Sequence, residues 1–536
     1  REYFSDIKMN NYIHNEETDD SMALAFSKDQ SDARKEWLYS FDSNVILNHT
    51  ETEVTIPDFI NRELIHFSNS DTLRSIGSVY DGLKPSQRKI LYSCFKRKLY
   101  SEIRVAQLAG YVSENAAYHH GEASLQSAII GMSQDYMGSN NMNLLMPNGQ
   151  FGTRIMGGHD AASPRYIHTE LNKIVDLIYP GADFPLLDYN DDDGILVEPK
   201  YYVPIIPMVL VNGMNGIGTG FSTSVPKYSI VDVINNTKRK INKKSYLSIH
   251  PSVNGFKGQI IKLGNKAYMS KGSYNIINDT SIRITELPVG KWTDDYKKFL
   301  DTLIPEPKRS KSLENEKLKK GKPKKTIIDY LNNSSDTEID FTITFEKGFL
   351  NSLQWDEDPD VDGIEKFFKL TTTKGLSLNN IHLFNKDHIK KYHNVNEIFD
   401  EFYTERHALY VKRKEYQLHN LFNDLTILKS KIRFMNNVMD DTIIIYKRKK
   451  QDIIKELMDK EFIQVHAGKV VDSTQGSEST NYDYLIKMSL YLFTEDELDK
   501  LESQITLLQN SYDDLFKLTV EEIWLSECNL LLKRCK

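Results

Sequence analysis

Cysteine is scarce in this chain: Cys94, Cys528 and Cys535 are the only three among 536 residues, and no Cys-x-x-Cys pair occurs. That scarcity excludes a disulfide scaffold and a zinc finger, and it fits a reducing compartment. No apolar run approaches the ~20 residues that a membrane-spanning helix needs, so no membrane partner is expected. A glycine-rich nucleotide loop is missing too. Gly213, Gly216, Gly218 and Gly220 come nearest, but the third glycine of a dinucleotide fingerprint falls on Phe221, and no helix follows before Pro226. Positive charge is not in excess: 68 Lys and Arg against 75 Asp and Glu leave a net charge of −7, a sum that disfavours nucleic acid. The opening residues, Arg1 to Ser5, make neither a signal peptide nor a natural start, so a fragment of a longer chain is expected.

What is present is length, a balanced composition and uneven charge. A chain of 536 residues, 40% hydrophobic and 27% charged, is too long for one core and ordinary for a soluble multidomain protein. Between Lys84 and Arg104 stand seven basic residues, Lys84, Arg88, Lys89, Lys96, Arg97, Lys98 and Arg104, against the single acid Glu102. The acids gather elsewhere, at Asp191-Asp192-Asp193 and from Asp356 to Asp362. A basic cluster is as readily a solvated helix face as a phosphate site, yet screening within ~10 Å lets a local groove work in an acidic protein.

Patterning predicts an extended Met22–Phe26, a short helix over Asp29–Tyr39, and a mostly helical stretch from Phe59 to Ala182. There Ile60, Leu64 and Phe67 recur at helical spacing, as do apolar residues in Ser124–Tyr136 and Arg165–Ile178. Tyr201–Val211, with Pro204 and Pro207, reads as an irregular buried strand. Short strands (Gly258–Leu263, Ser281–Leu287, Ile339–Phe345) predict an α/β region over 227–385. Its segment 305–325 is a basic, low-complexity insertion, equally an import signal or surface decoration. Farther on, Leu421, Leu425, Leu428, Ile432, Met435 and Met439 form one apolar seam, and Leu498, Leu501, Ile505, Leu508, Tyr512 and Leu515 form another. Their 3.5-residue period predicts an antiparallel coiled coil. Between the seams lie a helical Ile443–Phe462, a polar loop Gly468–Asn481 and the apolar Tyr482–Phe493. That knob either meets a two-fold partner or packs back on its own arm.

Candidate chemistry lies between residues 71 and 220. In His159-Asp160-Ala161-Ala162-Ser163-Pro164-Arg165-Tyr166-Ile167, Ser163-Pro164 predicts the start of a helix, with Arg165 and Tyr166 in a first turn that favours an anion. A phenol needs an adjacent cation or metal to become nucleophilic, and a guanidinium can hold phosphoryl oxygens bidentately. With 29 tyrosines in the chain, an Arg-Tyr pair taken alone is usually structural. His119-His120 points to a phosphate contact or plain packing, since adjacent helical residues diverge by about 100° and no Glu-x-x-His follows. Asp358-Pro359-Asp360-Val361-Asp362-Gly363 resembles a calcium loop whose twelfth position is Lys369 instead of an acid, so a solvated acidic loop is the better reading.

Several linked segments resemble the DNA breakage-and-reunion region of eukaryotic-type type IIA DNA topoisomerases. These are Arg74-Ser75-Ile76, Asp81-Gly82-Leu83-Lys84-Pro85-Ser86-Gln87-Arg88-Lys89, Val105–Ala109 and Ala117-Tyr118-His119-His120-Gly121-Glu122. Gly149-Gln150-Phe151-Gly152-Thr153-Arg154 and Pro204-Ile205-Ile206-Pro207 through Gly213 complete the set. The match runs without evident gaps from Arg74 to Gly220, and weaker similarity extends over nearly the whole chain. The resemblance implies an α+β multidomain fold: a C-terminal remnant of a metal-binding TOPRIM domain (1–40), a linker (41–66), a winged-helix DNA-cleavage domain (67–206), an α/β tower domain (207–388), and a coiled coil with a helical dimer gate (389–536).

It also implies roles. Tyr166 would attack a backbone phosphorus and take a 5′-phosphate, with Arg165 stabilising the transition state. Arg74, Lys84, His119 and His120 would meet phosphates, Ile217 would wedge between base pairs, and Trp292 and Lys369 would touch the duplex beyond the bend. Partners would be double-stranded DNA and a second copy of the chain, in the nucleus. Mg²⁺ is implied through acids expected upstream of this chain, and ATP through a separate domain, so weak or no cleavage is expected of this chain alone. Two other readings remain: a dimeric, DNA-bending scaffold without cleavage, and a helix-turn-helix regulator reading sequence with 84–104.

Overall fold

The computed structural model describes residues 10–48, 51–304, 327–353, 359–466, 468–471 and 481–535. The insertion expected at 305–325, and most of the loop expected at 468–481, lie outside them. The chain divides into two compact units, 1–406 with 527–536, and 407–526.

In the first unit, helices Ile65–Ser75, Pro85–Arg97, Val105–Asn115 and Glu122–Ser133 carry the expected 3.6-residue patterning. Ile90, Leu91 and Cys94 of the second, Leu108, Ala109 and Val112 of the third, and Leu125 and Ile129 of the fourth are fully buried. Two-stranded ribbons edge this bundle: Ile103–Arg104 with His168–Thr169, Tyr189–Asp192 with Ile195–Pro199, and Met214–Ile217 with Ser222–Val225. The glycine-rich segment is thus a hairpin, not a dinucleotide turn.

The α/β region follows. Its four-stranded antiparallel sheet runs in the order Ser273–Asn278, Ser281–Glu286, Phe341–Phe345, Ile327–Asn332. Phe341-Thr342-Ile343-Thr344-Phe345 alternates buried and partly exposed as a strand with one covered face must. Helix Thr293–Asp301 lays Tyr296 and Leu300 on that face. The three strands expected from sequence are all present. Asp362 accepts the Glu365 N–H at 2.8 Å and so caps helix Gly363–Phe367.

Four expectations fail. Met22–Phe26 is not extended but belongs to helix Thr18–Phe26, whose Asp19 and Asp20 sit in the first turn where the dipole favours acids. Tyr201–Val211 is buried but holds no strand; its last part is helix Met208–Asn212, started by Pro207 at the cap. Arg165–Ile178 is helical only over Val175–Ile178. Ile443–Phe462 is helical only over Lys450–Asp459.

In the second unit, helix Val395–Met439, which enters it at His407, runs antiparallel to Glu495–Lys517. Lys429 Nζ lies 3.3 Å from Gln509 Oε1, the Phe422 and Tyr512 rings are 6.5 Å apart, and Lys414 Nζ reaches the Leu518 carbonyl at 2.6 Å. The partner numbers fall as the first numbers rise, as antiparallel pairing requires. The apolar knob divides: Tyr482 and Leu485 pack back on Phe434, Ile453 and Leu457, whereas Leu490 and Tyr491 are 81% and 68% exposed.

The expected basic stripe is partly spent inside the fold. Asp81 accepts Arg88 Nε at 2.7 Å and Nη2 at 3.1 Å, together with the N–H groups of Leu83 and Tyr202, both at 2.9 Å. Lys89 pairs with Glu198 at 2.8 Å. Removing one member of a buried ion pair leaves the other charge uncompensated, at a cost of about 3–5 kcal/mol. Asp81→Ala is therefore expected to lower the unfolding free energy of the first unit by that amount, read as a fall in its denaturant midpoint at unchanged slope; an unchanged midpoint would show the network to be dispensable.

Candidate active site

Tyr166 stands on a tight turn. Its N–H donates to the Ser163 carbonyl at 2.9 Å, which places Pro164 at the second turn position, where its fixed φ suits the geometry. Ala106 N–H donates to the Pro164 carbonyl at 3.1 Å, and Val105 N–H to the Ile167 carbonyl at 3.1 Å. The first-turn donors of helix Val105–Asn115 thus hold the turn from below, and Ile167, 2% exposed, anchors it in the core. The expectation that Arg165 and Tyr166 open a helix is overturned: the chain goes from this turn into strand His168–Thr169, and the nearby helix end belongs to another segment. Tyr166 itself is 69% exposed. Arg165 Cζ lies 5.3 Å from the centre of its ring, and Arg165 Nε lies 3.4 Å from Ser163 Oγ.

Arg74 and Ile217 belong to one assembly. Arg74 donates to Asp71 Oδ1 through Nε at 3.1 Å and Nη2 at 2.7 Å, and its guanidinium is about half exposed. The other oxygen of Asp71 accepts the Thr219 N–H at 3.0 Å and hydroxyl at 3.1 Å. Thr219 follows Ile217 in the hairpin turn, and Thr72 Oγ1 donates to the Thr219 carbonyl at 3.0 Å. Any side chain at Gly216 would come within 2.1 Å of the Ser75 carbonyl oxygen, so glycine lets the hairpin lie against helix Ile65–Ser75. Ile217 projects from this support 85% exposed. Partial burial pushes the Asp71 carboxyl up, but hydrogen bonds from Arg74 and Thr219 outweigh it, and the net shift is downward.

Lys84 precedes helix Pro85–Arg97 and lines a cavity of about 350 Å³ with Ser86, Gln87, Tyr179 and Asn215. Burial lowers its ammonium pKa. His119 and His120 are exposed on the loop after helix Val105–Asn115, not on a helix; His119 Nε2 lies 3.3 Å from Asp192, and His120 meets the Tyr118 ring edge-on at 5.4 Å. Among the described residues, no hydrogen bond or ion pair joins Tyr166 to Arg74, Lys84, His119 or His120.

Trp292 caps helix Thr293–Asp301 and is half-buried. Its indole lies over Gly157, where a Cβ would fall 2.3 Å from the ring, and meets the Tyr136 ring edge-on at 5.9 Å. Lys369, with φ at 52°, holds its Nζ 4.2 Å from the centre of the Phe299 ring, and its carbonyl accepts Lys291 Nζ at 2.8 Å. Burial and the Lys369 charge lower the Lys291 ammonium pKa. Lys291 and Asp71 escaped the sequence reading. The signals were a cation flanking Trp292 and an acid at i−3 from Arg74 on a helix. Among the described residues no group of three or more His, Cys, Asp or Glu gathers to hold a metal ion.

The family model of DNA gyrase/topoisomerase IV matches residues 74–529, and that of the C-terminal associated domain of TOPRIM matches residues 1–72. DNA topoisomerase 2 of Arabidopsis thaliana is 40% identical over 566 residues, covering 99% of this chain and 37% of the plant protein. The mitochondrial DNA topoisomerase 2 of Dictyostelium discoideum is 38% identical over 534 residues, covering 99% of this chain and 39% of its own length. The chain therefore spans somewhat over a third of these relatives. The crystal structure of the Plasmodium falciparum topoisomerase II DNA-binding, cleavage and re-ligation domain superposes with a TM-score of 0.82 at 37% identity, covering 100% of this chain and 72% of that one.

Asp71 supplies a test of how the exposed isoleucine is held. Because its pKa is depressed, its contribution is present above the ordinary carboxylate range near pH 4 and is lost only as pH falls through the lowered value. Hydrogen-exchange protection at Gly218–Gly220 is expected to survive to below that range and to collapse at neutral pH in Asp71→Ala. Equal protection in the variant would show the hairpin to be held by packing alone.

Proposed function

This chain belongs to the DNA topoisomerase II family, and we propose that it is the cleavage and religation core of an enzyme that breaks both strands of one duplex so that another can pass. The observation that carries this reading is Tyr166, exposed on a turn fixed by backbone hydrogen bonds, with the Arg165 guanidinium over its ring.

The chemistry is a transesterification. The Tyr166 phenol oxygen attacks a backbone phosphorus, a phosphotyrosyl bond to the 5′-phosphate forms, and the bond to the 3′-oxygen breaks. The proton lost by the phenol is balanced by the one gained on the 3′-hydroxyl. One phosphodiester replaces another, so the exchange is nearly isoenergetic and the 3′-hydroxyl reverses it. Arg165 meets the charge that builds on the phosphoryl oxygens. Arg74, Lys84, His119 and His120 hold neighbouring phosphates, and backbone contacts of this kind carry affinity without sequence readout. Ile217 enters a base step and kinks the duplex, while Trp292 and Lys369 receive the arm beyond the bend. The described residues offer no cluster that fits Mg²⁺; in the whole enzyme the ion would be held by the TOPRIM domain, of which 1–40 would be the tail, and ATP by a further domain.

The remaining assignments follow the same reading: linker 41–66, winged-helix cleavage domain 67–206, tower 207–388, and coiled coil with dimer gate 389–536. One tyrosine cuts one strand, so a double-strand break needs two copies. The exposed Leu490 and Tyr491 support a contact between copies at the end of the second unit. The proposed location is the nucleus, with the mitochondrion as the alternative that one relative's name raises.

With the full-length protein, Mg²⁺ and duplex DNA, denaturant trapping followed by peptide mapping is expected to find the 5′-phosphate on Tyr166, and Tyr166→Phe to lose the adduct while binding duplex unchanged. An adduct on another residue, or none in the wild type, would overturn the assignment. Ile217→Ala is expected to reduce the bend read by energy transfer between labelled duplex ends, and an unaltered bend would remove the wedge role.

A further inference from the structure

The segment leading to the Tyr166 turn is held from outside the helical bundle. Arg154 is 3% exposed and its Nη2 forms an ion pair with Glu286 Oε1; Glu286 is 1% exposed and ends the sheet strand Ser281–Glu286. Glu286 is fixed in turn, accepting the N–H groups of Leu287 at 2.8 Å and Lys257 at 3.2 Å. Next to this pair, Asp294 N–H donates to the Ile155 carbonyl at 3.0 Å, and Thr293 N–H approaches the Arg154 carbonyl at 3.5 Å. The start of helix Thr293–Asp301 is therefore bound to the same segment.

From Arg154 a short series of contacts reaches the turn. Thr153 donates to Asp160 through N at 2.9 Å and Oγ1 at 2.5 Å. Gly158 N–H returns to the Thr153 carbonyl at 2.9 Å, and Ala162 N–H donates to the Gln150 carbonyl at 2.9 Å, immediately before Ser163. The other side of the junction carries Lys291, Trp292 and Lys369. A buried ion pair is weak evidence for added stability, because desolvation offsets most of its attraction; its better-attested use is to fix one arrangement.

We propose that Arg154 and Glu286 are a positioning pair that sets the Tyr166 turn against the sheet carrying the duplex-arm contacts, so that the nucleophile is seated only when that sheet is in place. Neither residue touches DNA in this scheme. The inference rests on the assignment of Tyr166 as nucleophile and adds residues outside its neighbourhood.

The test uses the full-length protein with Glu286→Gln and, because a lone buried guanidinium risks misfolding, the paired variant Arg154→Gln with Glu286→Gln, which removes both charges. Three quantities are read: duplex affinity, bend between labelled ends, and the rate at which covalent Tyr166 adduct approaches its equilibrium level. Displacement of a reacting group by about 1 Å can cost on the order of 100-fold in rate. Cleavage and resealing cross the same transition state. The paired variant is therefore expected to approach equilibrium at least about tenfold more slowly, with the final adduct level, affinity and bend within about twofold of wild type. An unchanged rate would overturn the proposal, as would a loss of affinity proportional to the loss of rate, which marks a merely structural pair. Absence of any wild-type adduct on Tyr166 would instead sink the underlying assignment.

Discussion

A side chain open to water keeps most of its rotamer freedom and gives little precision to chemistry, yet a nucleophile that attacks a bulky polymer has to be open to water. The nucleophile proposed at Tyr166 meets both demands because its backbone, not its ring, is fixed. Four groups around it are committed: the Ser163 carbonyl to its own N–H, the Pro164 and Ile167 carbonyls to the start of helix Val105–Asn115, and the Ile167 side chain to the core. The residues between Gly149 and Ala162 lead into that turn through their own hydrogen bonds, and the sheet beyond them is tied in through Glu286.

Charge is arranged by the same logic. The chain carries a net charge of −7, and several of its cations are withdrawn from solvent to build the scaffold: Arg88 on Asp81, Lys89 on Glu198, Arg154 on Glu286. Others stay at the surface, Lys96, Arg97, Lys98 and Arg104 among them, and two near the site are oriented by their neighbours. Arg74 is aimed by Asp71, and Lys369 lies over Phe299. A weak overall field with fixed cations suits the proposed function, in which a polyanion is held and later let go.

Much of this was legible in the sequence. The helical period of Ser124–Tyr136, the strand Ile339–Phe345 and the helices carrying the two apolar seams of the second unit all appear where the pattern put them. In each the apolar residues are the more sheltered ones, so pattern and outcome share one cause. The failures occur where burial is complete or contacts are remote. Tyr201–Val211 is apolar on every side and so gives no period to separate strand from helix. Ser163-Pro164 satisfies a helix start and a β-turn equally, and the choice falls to N–H donors far earlier in the chain, at Val105 and Ala106. The basic run over 84–104 could not disclose that Arg88 faces inward, because Asp81 acts on it across a turn.

Gly157 beneath Trp292 has a consequence for how such a protein can change over generations. The indole occupies the space where a Cβ would stand, and φ at that glycine is +61°, a region L side chains rarely adopt. A mutation at either position alone leaves a clash or a void. The two sites are therefore coupled, and a lineage that exchanged the tryptophan for a smaller residue would gain the space but still meet the left-handed backbone that keeps glycine at 157.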